Sequence, residues 1–255
     1  SRRSVSRWLA DSRVSRVRLP GMSESTQVLR PLVIAVDGPS GSGKSSVSRA
    51  VAEKFGYRYL DTGAMYRAVA LWMHQHGVDV SDPAAVAALV DDVDLKSGTD
   101  PAAPSISIDG EDVGEAIRTD AVPAMVSAVS AVPEVRAMLL QRQRAQAAAA
   151  MQADTGIVVE GRDIGTTVLP DADLKIFLTA DQEARAARRT AQDQQEGRGG
   201  EVSATAASLA ARDAADKSRA ASPLTKADDA VEVDATFMTF DEVVDRVTQL
   251  VVGEQ

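Results

Sequence analysis

The chain has 255 residues, of which 44% are hydrophobic, and a formal net charge of −9 at neutral pH. This length and apolar content suffice for one large domain, and the acidic balance argues against a general nucleic-acid binder, which would present a basic surface. Cysteine is absent, which excludes disulfides and thiolate metal sites and fits a cytoplasmic location. No apolar run approaches the roughly 20 residues that span a bilayer, so we expect a soluble protein with neither a membrane nor nucleic acid as a partner.

The first 21 residues carry six arginines and one acidic residue. They contain neither the apolar segment nor the small-residue cleavage site of a secretory signal. Because Met22 resembles an initiator, we interpret what precedes it as an added extension rather than as a transit peptide or a nucleic-acid arm. We expect a disordered basic extension over residues 1–29 and one domain over residues 30–252.

A glycine-rich loop connects the first predicted strand, the apolar run 32–36, to the first predicted helix, 45–55. The loop fits G-x-x-x-x-G-K-[ST] at every fixed position. Its glycines allow successive N–H groups to turn inward, and the helix N-terminus adds a positive dipole, which predicts a cradle for the phosphates of a nucleotide. The residues assigned to this cradle are Gly38, Pro39, Ser40, Gly41, Ser42, Gly43, Lys44, Ser45 and Ser46.

Two side chains of the loop have individual expected roles. Lys44 carries a mobile positive charge that should reach the β- and γ-phosphates. The Ser45 hydroxyl should ligate the Mg²⁺ that accompanies the nucleotide, because Mg²⁺ prefers oxygen ligands and is commonly shared with substrate phosphates. The pattern indicates binding of a nucleoside triphosphate and leaves the reaction open.

The next elements place polar residues beside this loop. A strand is predicted over residues 57–60 and a helix over residues 64–76. Ligands of open α/β sheets bind beyond the carboxyl ends of the strands, so Thr62 and Arg67 are expected near the loop. Farther on, alternating apolar residues flank an Asp-Gly pair, which predicts a hairpin outside the parallel sheet. We interpret residues 81 to about 130 as an inserted subdomain.

The second half of the chain completes the predicted α/β fold. The strand over residues 157–159 delivers Glu160, Gly161, Arg162 and Asp163 at its carboxyl end. A glycine-rich break separates two helices in a pair that resembles a lid over about residues 185–215. The whole pattern predicts a P-loop NTPase fold with a five-stranded parallel sheet flanked by helices. The remaining predicted elements are strands over 174–178 and 231–234 and helices over 123–130, 133–153, 181–195, 203–220 and 241–252.

Arginines recur at or beyond the predicted strand ends. Their planar guanidinium groups hold phosphate oxygens bidentately and stay charged. A donor cradle, an acceptor pocket and positive charge between them are the three requirements of phosphoryl transfer. Arg162 is the strongest single candidate, because it directly follows a buried strand and precedes Asp163.

Five motifs in one order over residues 30 to 252 resemble bacterial cytidylate kinases. They are VDGPSGSGKS at 36–45, LDTGAMYR at 60–67, IRT at 117–119, EGRDIGT at 160–166 and DKSRAASPL at 216–224. The resemblance implies a monomeric P-loop kinase with core, monophosphate-binding and lid parts. It also implies transfer of the γ-phosphate of ATP to CMP or dCMP with Mg²⁺.

The resemblance further implies a role for individual residues of the acceptor site. Lys44, Arg162 and Arg188 are expected to stabilise the transferring phosphoryl group. The acceptor phosphate and nearby groups are assigned to Thr62, Arg67, Arg162 and Arg219, the cytosine to Ser127, Arg136 and Asp163, and the ribose to Arg212 and Asp216. A carboxylate paired with a guanidinium matches the donor and acceptor edge of cytosine, which uracil partly reverses.

Two alternative functions remain open at this stage. A kinase of another small acceptor, such as UMP or shikimate, would use the same loop. A nucleotide-dependent switch is a different class, for which the guanine motif N-K-x-D is absent from the sequence. Transfer to CMP without a protein partner would exclude a switch.

Overall fold

The structure, a computed structural model, describes residues 30–119, 121–195, 202–218 and 223–255. The predicted N-terminal extension over residues 1–29 lies outside these ranges. The strands are β1 (Val33–Asp37), β2 (Arg58–Asp61), β3 (Leu95–Ser97), β4 (Ile106–Ile108), β5 (Glu111–Asp112), β6 (Ile157–Gly161), β7 (Leu174–Thr179) and β8 (Val231–Asp234). The helices are α1 (Lys44–Phe55), α2 (Thr62–Gln75), α3 (Pro83–Leu89), α4 (Ala121–Ala131), α5 (Pro133–Gln152), α6 (Gln182–Gln195), α7 (Val202–Ser218) and α8 (Phe240–Gly253).

The main sheet has five parallel strands in the order β2-β6-β1-β7-β8, with helices on both faces. This confirms the predicted α/β fold and strand number. Four strands end later than predicted, β1, β2 and β7 by one residue and β6 by two. Strand β6 continues past residue 159 through Glu160 and Gly161. The ladder to β1 persists there, pairing Val36 with Glu160 and Asp37 with Gly161.

Successive residues of the central strands point into two different apolar cores. In β1, Ile34 and Val36 belong to the core formed with α1 and α8, whereas Ala35 belongs to the core formed with α2 and α5. Parallel strands covered on both faces are apolar at consecutive positions. This double burial explains the continuous apolar runs in the sequence.

The inserted segment forms a second, antiparallel sheet in the order β3-β4-β5. Its turn between β4 and β5 has positive φ at both Asp109 (52°) and Gly110 (84°), as a two-residue hairpin turn requires. Trp72 of α2 donates Nε1–H to Asp109 Oδ2 at 2.8 Å, and Arg142 of α5 donates to the carbonyl of Leu95 at 2.6 Å. These contacts fasten the insertion to the core helices.

Helices α6 and α7 pack against each other at the carboxyl edge of the main sheet. The predicted glycine-rich break at residues 197–200 lies outside the described residues. None of the helices in the described ranges is long and apolar enough to cross a membrane.

Candidate active site

A cavity of about 1090 Å³ opens at the carboxyl ends of β1, β2 and β6. The strand register brings three carboxylates to this edge. Asp61 of β2 pairs with Glu160 of β6, and Asp37 of β1 pairs with the next residue, Gly161. The cavity therefore forms where open parallel sheets bind their ligands.

The glycine-rich loop turns into α1 through left-handed backbone. Gly41 has φ 77° and Gly43 has φ 94°, conformations that favour glycine. Gly38 also has a positive φ, 149°, and a Cβ there would in addition lie 2.0 Å from the carbonyl oxygen of Leu178 in β7. Helix α1 begins at Lys44, so its unpaired N-terminal N–H groups face the cavity as an anion site.

Lys44 is buried under the loop that precedes it. Its Nζ donates to the carbonyl of Pro39 at 2.7 Å and lies 3.5 Å from Ser42 Oγ. Burial, followed by the nearby charge of Arg162, lowers the pKa of the Lys44 ammonium to about 7. A bound polyphosphate would oppose this lowering by adding negative charge beside the ammonium.

Glu160 anchors a group of oxygen atoms behind the loop. Tyr59 of β2 donates its hydroxyl proton to Glu160 Oε1 at 2.5 Å, and the Ser45 hydroxyl interacts with both residues. Burial raises the pKa of Glu160, and the neighbouring charge of Asp61 raises it further. No three His, Asp or Glu side chains of the described ranges cluster as a metal site by themselves.

Asp37 is buried between the loop and the turn after β6. Its carboxylate accepts the N–H of Ile164 at 2.8 Å and the N–H of Gly165 at 2.7 Å. Burial raises the pKa of Asp37 to about 6, although both hydrogen bonds oppose this shift. These bonds hold the segment that carries Arg162 and Asp163 beside the loop.

Thr62 and Arg67 lie at the start of α2, against the end of β6. Thr62 donates its hydroxyl proton to the carbonyl of Glu160 at 2.7 Å. Arg67 donates to Asp61 Oδ2 at 3.0 Å, and its buried Nε has no hydrogen-bond partner among the described residues. Burial alone would raise the pKa of Asp61, but Arg67 and the N–H of Ala64 outweigh it and lower that pKa.

Arg136 and Asp163 form a buried ion pair on another wall of the cavity. Arg136 also donates to the carbonyl of Ser130 at 3.3 Å and lies over the ring of Tyr66, 5.7 Å from its centroid. Ser127 lines the same wall. The pair presents a carboxylate and a guanidinium side by side. The Ser130 carbonyl and the Tyr66 ring fix the position of the guanidinium, which in turn holds the carboxylate.

Arg162 and Arg188 both line the cavity, Arg162 from the segment after β6 and Arg188 from α6. Arg162 Nε donates to Asp216 Oδ2 of α7 at 2.8 Å. Arg188 of α6 donates to the carbonyl of Ala235, to that of Met238 at 3.3 Å and to that of Ser42 at 3.5 Å. Each arginine is therefore oriented by protein acceptors.

Most of the site residues predicted from the sequence line this single cavity. Gly38 and Pro39 lie behind it as structural parts of the loop. Arg212 lies on α7, and Arg219 falls outside the described residues. The predicted residues that line the cavity are Ser40, Gly41, Ser42, Gly43, Lys44, Ser45, Ser46, Thr62, Arg67, Ser127, Arg136, Arg162, Asp163, Arg188 and Asp216.

Two buried groups at the site were not predicted from the sequence. Asp37 directly precedes the loop, where a carboxylate in an otherwise apolar strand was the available signal. Tyr59 carries no such signal, because an aromatic residue in a buried strand is ordinary packing. Only the pairing of β2 with β6 brings its hydroxyl to Glu160.

A parallel sheet with a phosphate-binding loop and an arginine-lined cavity at its carboxyl edge defines a P-loop kinase. A family profile described as Cytidylate kinase matches residues 34–252. The cytidylate kinase of Streptomyces coelicolor is 59% identical over 220 residues, covering 86% of this chain and 92% of the relative. That of Streptomyces griseus is 57% identical over 92% of this chain and 99% of the relative, and that of Nocardia farcinica is 56% identical over 90% and 96%. The chain belongs to the cytidylate kinase family.

Proposed function

We propose that this enzyme transfers the γ-phosphate of ATP to CMP or dCMP, giving ADP and CDP or dCDP. The observation that carries the proposal is the presence of the phosphate-binding loop and the Arg136–Asp163 pair in one cavity of a cytidylate kinase family member. The reaction belongs to pyrimidine nucleotide metabolism. We further propose that the enzyme is a cytoplasmic monomer.

The donor binds with its phosphates on residues 38–46. The N-terminal N–H groups of α1 and the inward-turned loop amides hold the phosphate oxygens. Lys44 exchanges its contact with the Pro39 carbonyl for the β- and γ-phosphates. Arg188 reaches the transferring group from α6, since it already lies against the loop carbonyl of Ser42.

The residues behind the loop fit a magnesium ion that arrives with ATP. Ser45 offers a hydroxyl oxygen at the start of α1, and Glu160 and Tyr59 orient it. Mg²⁺ is commonly held by one or two protein oxygens together with substrate phosphates, which is the role proposed for Ser45. When bound, Mg²⁺ neutralises part of the phosphate charge and orients the donor.

The acceptor binds opposite the loop, across Arg162. Thr62, Arg67, Arg162 and Arg219 bind its phosphate, and Arg212 and Asp216 bind its ribose. Asp163 accepts from the exocyclic amino group of cytosine, while Arg136 and Ser127 bind the neighbouring acceptor edge. Uracil presents an oxygen in place of that amino group, so it withholds the donor that cytosine offers to the Asp163 carboxylate.

Catalysis under this proposal requires no general base. The acceptor phosphate is already ionised at neutral pH and is itself the nucleophile. Acceleration comes from alignment and from positive charge around the transferring group, supplied by Lys44, Arg162 and Arg188. The protein contributes a cavity in which these charges are oriented before the reaction begins.

An ATP-consumption assay on the full chain tests the proposal. CMP, dCMP, UMP, AMP, GMP and shikimate are compared as acceptors for the wild type and for Asp163→Ala. We expect CMP and dCMP to exceed the other acceptors by at least about tenfold in kcat/KM and Asp163→Ala to remove most of this preference. Activity confined to UMP or shikimate would mean that this molecule, and not CMP, is the acceptor. ATP binding without transfer to any acceptor would favour a switch.

A further inference from the structure

We propose that Arg185 and Asp213 are positioning residues that couple the phosphate-binding loop to the acceptor arginine Arg162. This inference rests on the proposed function, because it concerns how the ATP and CMP sites of that function communicate. The chain of contacts runs from Ser40 through Arg185 and Asp213 to helix α7, and from Asp216 on that helix to Arg162. We call this chain the α7 bridge.

The donor half of the α7 bridge is buried. Arg185 donates through Nη1 to the carbonyl of Ser40 at 3.1 Å and to Asp213 Oδ2 at 2.5 Å. Its Nε donates to the carbonyl of Ala180 at 3.1 Å. The side chains of Arg185 and Asp213 are only 9% and 12% exposed, so water cannot readily replace either partner.

The acceptor half begins one helical turn farther along α7. Asp216 follows Asp213 by three residues, a spacing that places both carboxylates on one side of a helix. Asp216 accepts from Arg162 Nε at 2.8 Å, and Arg162 Nη1 donates to the carbonyl of Gly161 at 3.3 Å. One short stretch of α7 thus holds an arginine of the donor side and an arginine of the acceptor side.

Close packing at Gly41 reinforces this connection. A Cβ at Gly41 would meet the carbonyl oxygen of Arg185 at 3.1 Å, its Cβ at 3.3 Å and Leu209 Cδ1 at 3.4 Å. The loop therefore touches α6 and α7 directly as well as through the Arg185 side chain. Because packed interiors are stiff, a change in the loop on phosphate binding must move these helices.

The functional consequence is cooperativity between the two substrates. Phosphates on the loop reorient the Ser40 carbonyl that Arg185 holds, and Asp213 transmits this change to Asp216 and Arg162. Coupling between two sites is reciprocal, so bound acceptor must strengthen donor binding by the same factor. Typical coupling factors are about 5- to 150-fold.

Calorimetric titrations on the full chain test the α7 bridge. The dissociation constant of CMP is measured alone and with saturating Mg²⁺ and a β,γ-imido analogue of ATP, which cannot transfer its phosphate. The variants are Asp213→Asn, which removes the charge and keeps the shape, and Arg185→Lys, which keeps the charge and loses the forked contact. Glu232→Gln is the control, because it removes one carboxylate from the exposed Lys226–Glu232 pair, remote from the cavity.

We expect the analogue to tighten CMP binding at least about fivefold in the wild type and in Glu232→Gln. In Asp213→Asn and Arg185→Lys, the ratio of the CMP dissociation constant without the analogue to that with it should fall to within about twofold of unity. The affinity for CMP alone should change much less. A purely structural role would lower the melting temperature and keep the ratio, which would overturn the bridge. If Asp213→Asn does not fold, the effect of the analogue on CMP binding in Arg185→Lys decides whether the bridge exists.

Measuring CMP turnover beside CMP binding distinguishes failure of the α7 bridge from failure of the proposed function. Turnover of CMP by the wild type, with no coupling or with coupling that survives both variants, would overturn the α7 bridge alone. An absence of CMP turnover in the wild type would overturn the proposed function, and the α7 bridge with it.

Discussion

Asp37 accepts the backbone N–H of Gly165 at 2.7 Å, across 128 residues of sequence. Asp37 ends the strand that leads into the phosphate-binding loop, whereas Gly165 follows the segment that carries Arg162 and Asp163. A second bond, from the N–H of Ile164 at 2.8 Å, occupies the other carboxylate oxygen. The donor and acceptor halves of the cavity are therefore fastened together by one buried side chain.

The titration of Asp37 should give stability a pH dependence. Burial raises its pKa from 3.8 to about 6, so between pH 4 and 6 the folded state binds more protons than the unfolded state. The free energy of unfolding contributed by this group then falls as pH rises through that window, by about 3 kcal/mol in all. We measure the free energy of unfolding of the wild type and of Asp37→Asn with urea from pH 4 to 7. The value for the wild type minus that for Asp37→Asn should decrease as the pH rises.

The matched control for this measurement is Asp245→Asn, which removes the exposed partner of Lys54. The difference in the free energy of unfolding between Asp245→Asn and the wild type should vary little over the same pH range. A difference between the wild type and Asp37→Asn that stays constant or grows with pH would contradict the buried, raised-pKa description of Asp37.

Tyr59→Phe should make the enzyme need more Mg²⁺. The substitution keeps the ring and removes the hydroxyl that donates to Glu160, leaving a buried carboxylate with one partner fewer at a cost of about 1–3 kcal/mol. A less well oriented Glu160 positions the Ser45 hydroxyl less well, and we expect the half-saturating Mg²⁺ concentration to rise about tenfold.

Two readouts separate orientation from general destabilisation in Tyr59→Phe. Saturating Mg²⁺ should restore most of kcat, and Mn²⁺ binding in the presence of ATP, measured by electron paramagnetic resonance, should weaken in parallel. An unchanged Mg²⁺ requirement together with a lower melting temperature would show that the hydroxyl serves stability alone.

Lys44→Met should lower kcat by about 10²- to 10³-fold, because it removes a preorganised cation from the transferring phosphoryl group. The KM for CMP should change by less than about threefold, since Lys44 contacts the loop rather than the cytosine wall. Lys54→Met tests the specificity of the effect on the same helix, because Lys54 pairs with Asp245. Equal losses in both variants would mean that helix α1, not the Lys44 charge, is responsible.

Gly38→Ala should destabilise the fold by about 3 kcal/mol, because the new Cβ would lie 2.0 Å from the backbone oxygen of Leu178. Gly43→Ala is the comparison within the same loop. Nothing lies within 4 Å of a Cβ at Gly43, so only the cost of its positive φ, about 1–2 kcal/mol, applies. Urea unfolding at pH 7 ranks the two variants, and a larger loss for Gly43→Ala would refute this packing description.

Local sequence patterns predicted much of this architecture. The sequence predicted all five strands of the main sheet, and the last, Val231–Asp234, matched at both ends. Pro133 marked the start of α5, and the Asp109-Gly110 pair marked a hairpin. These signals are readable because each depends on residues only a few positions apart. The end of β6 was missed because its last two residues are a charged side chain and a glycine, held in the strand only by the ladder to β1.

Side-chain partners were decided by the tertiary structure. The sequence placed Arg162 next to Asp163, yet Arg162 pairs with Asp216 and Asp163 with Arg136, because neighbouring residues after a strand point in different directions. The contact between Arg185 and Ser40 likewise depends on how α6 packs against the loop.

The sequence alone therefore determined the phosphate-binding loop, the strand and helix order and the resemblance to cytidylate kinases, since these reside in contiguous motifs and local periodicity. Tertiary structure alone decided the burial of Asp37, the hydrogen bond between Tyr59 and Glu160 and the α7 bridge. Each of these joins groups far apart in the chain, and the strength of each depends on the water excluded when strands and helices pack.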